Sequence, residues 1–156
     1  MLKAHVWLPF GNMVGHASIS FRDVYVSFWP DGCAGAKDLK FKRSHPSAFV
    51  SALNEDIHAE GGRTPTTIVI EKYNENKLSQ FILNLKRNMP RYQIAKYNCS
   101  HVVAECLRVA CEEEPSFYPT AHNYGKMGKV LGRGIWTPHE ILRYAEELAS
   151  DNKVYA

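Results

Sequence analysis

Alternating polar and apolar residues mark the first third of the chain. In residues 16–21 (HASISF), the polar side chains of His16, Ser18 and Ser20 alternate with apolar ones, and residues 24–29 (VYVSFW) alternate in the same way. Alternation with a period of two is typical of half-buried β-strands. Together with residues 3–8 (KAHVWL) and a turn at residues 22–23, this pattern predicts three strands at the start of the chain.

The rest of the chain carries mainly helical spacing of apolar residues. It predicts helices from Pro46 to Gly61, from the capping residue Asn74 to Pro90, from about Cys99 to Cys111, and from a capping box at residues 137–140 onward. Residues 66–71 predict a buried strand. Segregated strands and helices predict an α+β fold with an antiparallel sheet. The first, second and last of these helices each have an apolar stripe that should face the core. These stripes are, in the same order, Phe49, Leu53 and Ile57; Leu78, Phe81, Ile82, Leu85 and Met89; and Ile141, Leu142, Ala145 and Leu148.

Composition predicts one ordinary globular domain over residues 1–156, with 45% hydrophobic and 22% charged residues. The net charge of +3 comes from scattered lysines and arginines, so no nucleic-acid partner is expected. Neither a signal peptide nor a membrane-spanning stretch is apparent, so we expect cytoplasmic synthesis and no integral membrane segment; export by a signal-independent system stays open. The four cysteines have no CxxC spacing, and neither a metal nor a cofactor is expected.

The segment YNCSHVVAECLRVACE carries the strongest chemical signal. Cys99 shares the apolar side of the predicted helix with Val102, Val103 and Cys106, so its sulfur should point inward at the helix N-terminus. Unpaired N–H groups and the helix dipole favour a thiolate there, and the same N–H groups can hold an oxyanion. Cys99 is therefore a candidate nucleophile, while the alternative is a small buried hydrophobic residue.

A nucleophilic cysteine needs a base, and seven histidines are present. His101 follows Cys99 by two residues and so faces the opposite side of the helix, where we expect it to pair with Glu105 instead. His16 is the preferred base, because it follows a glycine and shares a polar strand face with two serines. Ser27, diagonal to His16 on the next strand, is the candidate orienting group, with Tyr25 next, since no Asp or Glu lies on this face.

The segments GHASISF, YVSFWP and YNCSHVVAECL, in this order, resemble the circularly permuted papain-like fold of the NlpC/P60 superfamily. The run Asn98-Cys99-Ser100-His101 is similar to the Asn-Cys-Glu-His run of the lecithin–retinol acyltransferase-like branch. The resemblance covers about residues 1–30 and 92–111. It implies that Cys99 is the nucleophile, that His16 is the base, and that Ser27 or Tyr25 is the polar residue of the following strand. A second histidine on that strand and a C-terminal membrane helix, both found in the acyltransferase branch, are lacking here.

The resemblance implies a cysteine peptidase or amidase that cleaves an amide bond through a thioester, with a bacterial cell-wall stem peptide as the natural substrate class. A secreted effector toxin with an immunity or secretion partner would suit such an enzyme. A thiol acyltransferase or phospholipase, a protein deamidase and an inactive binding module stay open. We expect Tyr25, Trp29, Tyr97 and Asn98 to contact substrate, and the basic glycine-rich loop of residues 124–134 to gate the site.

Overall fold

The computed structural model describes residues 1–31, 44–93, 97–119 and 134–154. Residues 124–133 of the predicted gating loop lie outside these ranges, as does Cys33. The described residues form an α+β fold, as predicted, with four helices and with five strands instead of the four expected. None of the helices in the described ranges is both long enough and apolar enough to cross a membrane.

The strands form one antiparallel sheet in the order β4-β3-β2-β1-β5. Their bounds are β1 Leu2–Trp7, β2 His16–Phe21, β3 Val24–Pro30, β4 Ser47–Val50 and β5 Thr66–Ile70. The predicted turn at residues 22–23 is confirmed, and it pairs Ser20 with Tyr25 across β2 and β3. Arg22 adopts a left-handed backbone conformation there, so the turn forms without the usual glycine or asparagine.

The helices are α1 Leu53–Ala59, α2 Glu75–Arg87, α3 Cys99–Cys111 and α4 Pro138–Val154. One helix prediction is wrong in part, because residues 47–50 form strand β4, which pairs with β3, and the helix begins only at Leu53. Phe49 is therefore a strand residue. Strand β5 is also less buried than predicted, since it lies at the sheet edge and only Ile70 is fully covered. Met89 lies beyond the end of α2 and is exposed.

The two faces of the sheet differ in polarity. Ala4, Ile19 and Val26 are aligned across β1, β2 and β3 and are fully buried in the core. Helix α3 packs on β2 and β3, whereas α4 packs on β1 and β5. The alternate strand positions, which include His16 and Ser18, form the opposite, polar face. That face is where the candidate chemistry lies.

Candidate active site

Helix α3 begins at Cys99, as the sequence predicts, and Asn98 caps it. The Asn98 side-chain oxygen accepts a hydrogen bond from the His101 backbone N–H at 2.8 Å. The Asn98 side-chain nitrogen donates to the carbonyl oxygen of Trp136 at 2.9 Å, just before α4. Asn98 thus fixes the start of α3 and ties it to the segment that leads into α4.

The Cys99 thiol is enclosed, with 7% of the residue exposed. Burial alone would raise its pKa. The positive charge of His16 and hydrogen bonds from His16, the Ala17 backbone N–H and Ser100 outweigh burial and lower the pKa of Cys99. The other two described cysteines differ, because burial raises the pKa of Cys106 strongly and that of Cys111 to about 12.

His16 is buried at the start of β2, between two indole rings. Its ring stacks on Trp29 at a centroid distance of 4.3 Å and lies 5.5 Å from the ring of Trp7. Burial alone would lower the pKa of His16. The negative charge of Cys99 and the hydrogen bond to Asp56 raise this pKa instead, so a thiolate and an imidazolium stabilise each other.

The far side of the His16 ring faces a buried carboxylate. Nε2 of His16 lies 3.2 Å from Oδ2 of Asp56 and 2.8 Å from Oγ of Ser27. This leaves Nδ1 as the ring nitrogen for Cys99. Asp56 comes from α1 and is that helix's one buried residue, with no exposed surface.

Several donors surround the Asp56 carboxylate. Trp29 donates its indole N–H to Oδ1 at 2.8 Å, and the Tyr25 hydroxyl donates to Oδ2 in a short hydrogen bond. Burial alone would raise the pKa of Asp56. Hydrogen bonding and the charge of His16, with further hydrogen bonds from Ser27 and Tyr25, lower it. The carboxylate therefore stays ionised without contact with water.

The predicted contact between His16 and Ser27 is confirmed. As the sequence shows, β2 and β3 carry no acidic residue on this face, but a carboxylate still contacts His16, because Asp56 reaches the face from a helix. Asp56 follows Leu53 by three residues and therefore lies on the side of the predicted apolar stripe. That position was the available sequence signal.

The residues expected to contact substrate are all engaged within the protein. Tyr25 and Trp29 hold Asp56, and Asn98 caps α3. The Tyr97 hydroxyl donates to Glu105 at 2.7 Å, and its ring packs against Phe28. Substrate contact for these four side chains stays a prediction, while their positioning contacts are established.

The remaining histidines with described contacts are occupied elsewhere. His101 pairs with Glu105 at 3.2 Å, as predicted. His5 is buried on the polar face, where its ring nitrogens lie 2.9 Å from the Thr67 hydroxyl and 2.8 Å from that of Ser20. Burial, followed by the charge of Lys3, lowers the pKa of His5 to about 4 and keeps it neutral near pH 7.

Comparison with known proteins yields no match. No protein-family model matches this chain, and neither a curated protein nor a solved structure matches it. The geometry of Cys99, His16 and Asp56 is therefore the basis on which a function is inferred.

Proposed function

We propose that this chain is a cysteine hydrolase that cleaves an amide bond through a thioester on Cys99. One observation carries the proposal: the thiol at the start of α3 is coupled to a buried histidine whose charge lowers the pKa of that thiol, and the other side of the histidine lies 3.2 Å from a buried carboxylate. A nucleophile, a base and a group that orients the base are the parts that covalent acyl transfer needs. The permuted papain-like architecture belongs to the same proposal.

The first half of the reaction transfers the acyl group to sulfur. The Cys99 thiolate attacks the carbonyl carbon, a C–S bond forms, and the carbonyl π electrons move onto oxygen. First-turn backbone N–H groups of α3, including that of Cys99, lack partners within the helix and can stabilise this oxyanion. When the C=O bond forms again, the C–N bond breaks and His16 gives its proton to the departing nitrogen.

The second half releases the acid. Neutral His16 takes a proton from water as the water oxygen attacks the thioester carbon. The tetrahedral intermediate then collapses, expels the Cys99 thiolate and leaves a free carboxyl group. His16 is again an imidazolium beside a thiolate, stabilised by Asp56, so the next cycle can begin.

A peptide amide of the bacterial cell wall is the substrate class that we propose. The resemblance of the histidine strand and the cysteine helix supports it. Purified peptidoglycan and short stem peptides incubated with the protein should yield new amino and carboxyl termini, detected by chromatography and mass spectrometry. Phospholipid vesicles form a second arm, and fatty-acid release without peptide cleavage would replace this substrate class with a lipid ester.

The reactivity of Cys99 tests the mechanism without a known substrate. We expect alkylation by iodoacetamide, followed peptide by peptide with mass spectrometry, to show a pH midpoint for Cys99 clearly below the roughly 8.5 of a free thiol. The midpoint is more informative than the rate, because the thiol is enclosed. Cys111 is the internal control, since it is partly exposed and the pKa of its thiol is raised to about 12.

His16→Gln is the matched variant. It removes the imidazolium, so the midpoint of Cys99 should move to about 8.5 or above while that of Cys111 stays unchanged. If wild-type Cys99 titrates like an ordinary buried thiol, the protein is not a cysteine hydrolase of this kind.

A further inference from the structure

Three chain segments meet around the candidate nucleophile and base. Asn98, the residue before Cys99, donates a hydrogen bond to the Trp136 carbonyl. Gly15, the residue before His16, lies so close to Pro138 that a Cβ added to Gly15 would be 3.1 Å from Cγ of Pro138. The segment that opens α4 therefore contacts the immediate neighbours of both reactive residues.

Thr137 lies between these two contacts. It is 1% exposed, and its hydroxyl has no hydrogen-bond partner among the described residues. The predicted capping box is thus wrong in its first half, because this hydroxyl does not cap α4 although the helix begins at Pro138 as expected. An unpaired buried hydroxyl is costly, and this one lies between two residues that contact the neighbours of Cys99 and His16, so a ligand that pairs it is expected.

A second atom of the same turn points to the same conclusion. Nδ1 of His139 is also buried and lacks a hydrogen-bond partner among the described residues. The first turn of the long helix α4 thus combines the positive end of a helix dipole with these two buried polar atoms, and it also holds the buried carboxyl group of Glu140. The dipole and the Thr137 hydroxyl favour an oxygen that gains negative charge, whereas the Glu140 carboxyl group opposes it.

We propose that the Thr137 hydroxyl is a substrate-binding donor that hydrogen-bonds the carbonyl oxygen under attack by Cys99. This inference rests on the proposed function. As the C–S bond forms, the carbonyl oxygen becomes an oxyanion, which in this proposal accepts hydrogen bonds from the Thr137 hydroxyl and from first-turn N–H groups of α3. The hydroxyl keeps its proton throughout, and the hydrogen bond strengthens as the charge develops.

The test compares two reagents that modify the same sulfur. Iodoacetamide alkylates the thiolate by direct displacement of iodide and forms no oxyanion, whereas p-nitrophenyl acetate acylates it through a tetrahedral oxyanion and releases p-nitrophenolate. Thr137→Val replaces the hydroxyl with a methyl group of similar size, and Thr137→Ser keeps the hydroxyl. Cys99→Ala gives the background for both reagents.

We expect Thr137→Val to slow acylation of Cys99 about 10- to 100-fold, the value of one hydrogen bond to a charged group. Its alkylation rate and pH midpoint should stay within about 2-fold and about 0.3 units of wild type, and Thr137→Ser should behave like wild type with both reagents. Equal effects on the two reagents, or no effect on acylation, would overturn the inference and leave the proposed function intact.

Thermal unfolding adds an independent readout. Removal of an unpaired buried hydroxyl should leave the melting temperature of Thr137→Val unchanged or higher. A clear drop in melting temperature that Thr137→Ser avoids would identify a structural role and overturn the inference. A wild-type protein that is acylated no faster than Cys99→Ala would overturn the proposed function together with this inference.

Discussion

Asp56→Asn is the most informative single substitution, because it removes one negative charge and keeps the size of the side chain. Two unit charges 3.2 Å apart interact by about 5 kcal/mol at an effective dielectric constant of about 20. One pKa unit corresponds to about 1.4 kcal/mol, so loss of even half of this interaction lowers the pKa of His16 by about two units. A weaker imidazolium in turn raises the pKa of Cys99.

The assay measures the pH midpoint for alkylation of Cys99 by iodoacetamide. We expect it to rise by at least about one pH unit in Asp56→Asn, with turnover reduced about 100-fold where a substrate is in hand. Glu60→Gln is the matched control, because Glu60 is also a buried carboxylate, paired at 3.2 Å, but with Arg63. An unchanged midpoint in Asp56→Asn, or an equal shift in Glu60→Gln, would refute the role assigned to Asp56.

The same substitution has a defined effect on stability. Removal of one partner from a buried pair costs about 3 kcal/mol or more in the free energy of unfolding, which urea denaturation at pH 7 measures. Because folding lowers the pKa of Asp56, its stabilisation is complete above the unfolded value of about 3.9 and is lost as the pH falls through the folded value. The difference between wild type and variant should therefore shrink below about pH 4.

Two further pairs of substitutions test how the site is positioned. Asn98→Ala and Asn74→Ala each remove a helix cap and should each lower the free energy of unfolding by about 1 kcal/mol, but only Asn98→Ala should alter the alkylation of Cys99; matching alkylation rates in the two variants would contradict this. Gly15→Ala should lower the free energy of unfolding in urea by about 1–3 kcal/mol, the usual cost of a residue held in a sparsely populated backbone conformation. Its φ is positive, and the added Cβ would also lie 2.4 Å from the backbone oxygen of Trp7. Gly11→Ala also has a positive φ but meets open space, so it should cost less; equal losses would show that the close approach at Gly15 is not restrictive.

Much of the fold was predictable because local patterns decide it. Strand β2 and helix α3 have the predicted bounds, since alternation marks the former and a cap followed by an apolar stripe marks the latter. For residues 47–50 the local pattern predicted a helix instead of a strand, because Phe49 and Leu53 fit the spacing of a helical apolar stripe. A short edge strand is stabilised by its partner, and the pairing of β4 with β3 is a long-range contact that a local pattern does not contain.

The same distinction explains the outcome at the site. Cys99 and His16 carry local signals, namely a helix start and a polar strand face, and Ser27 follows from strand register. For Asp56 the one local signal is its place on the side of the apolar stripe, and it does not identify the partner, because His16 lies 40 residues away in sequence and the contact depends on how α1 is placed over the sheet. In isolation an acidic residue near the middle of a short helix suggests a solvated surface position.

The three cysteines of α3 differ in what surrounds each thiol, and this difference singles out the nucleophile that we propose. Cys99, Cys106 and Cys111 share one helix, and burial opposes ionisation at all of them. Of these three, Cys99 alone meets His16, and His16 holds a proton beside it because Asp56 lies on the other side of the ring. Burial therefore suppresses ionisation of the two cysteines that lack a cationic partner, while at Cys99 the same enclosure strengthens the attraction between thiolate and imidazolium. The proposed reactivity of Cys99 therefore depends on the cation that faces it, whereas burial and nearby negative charge raise the pKa of the other two thiols.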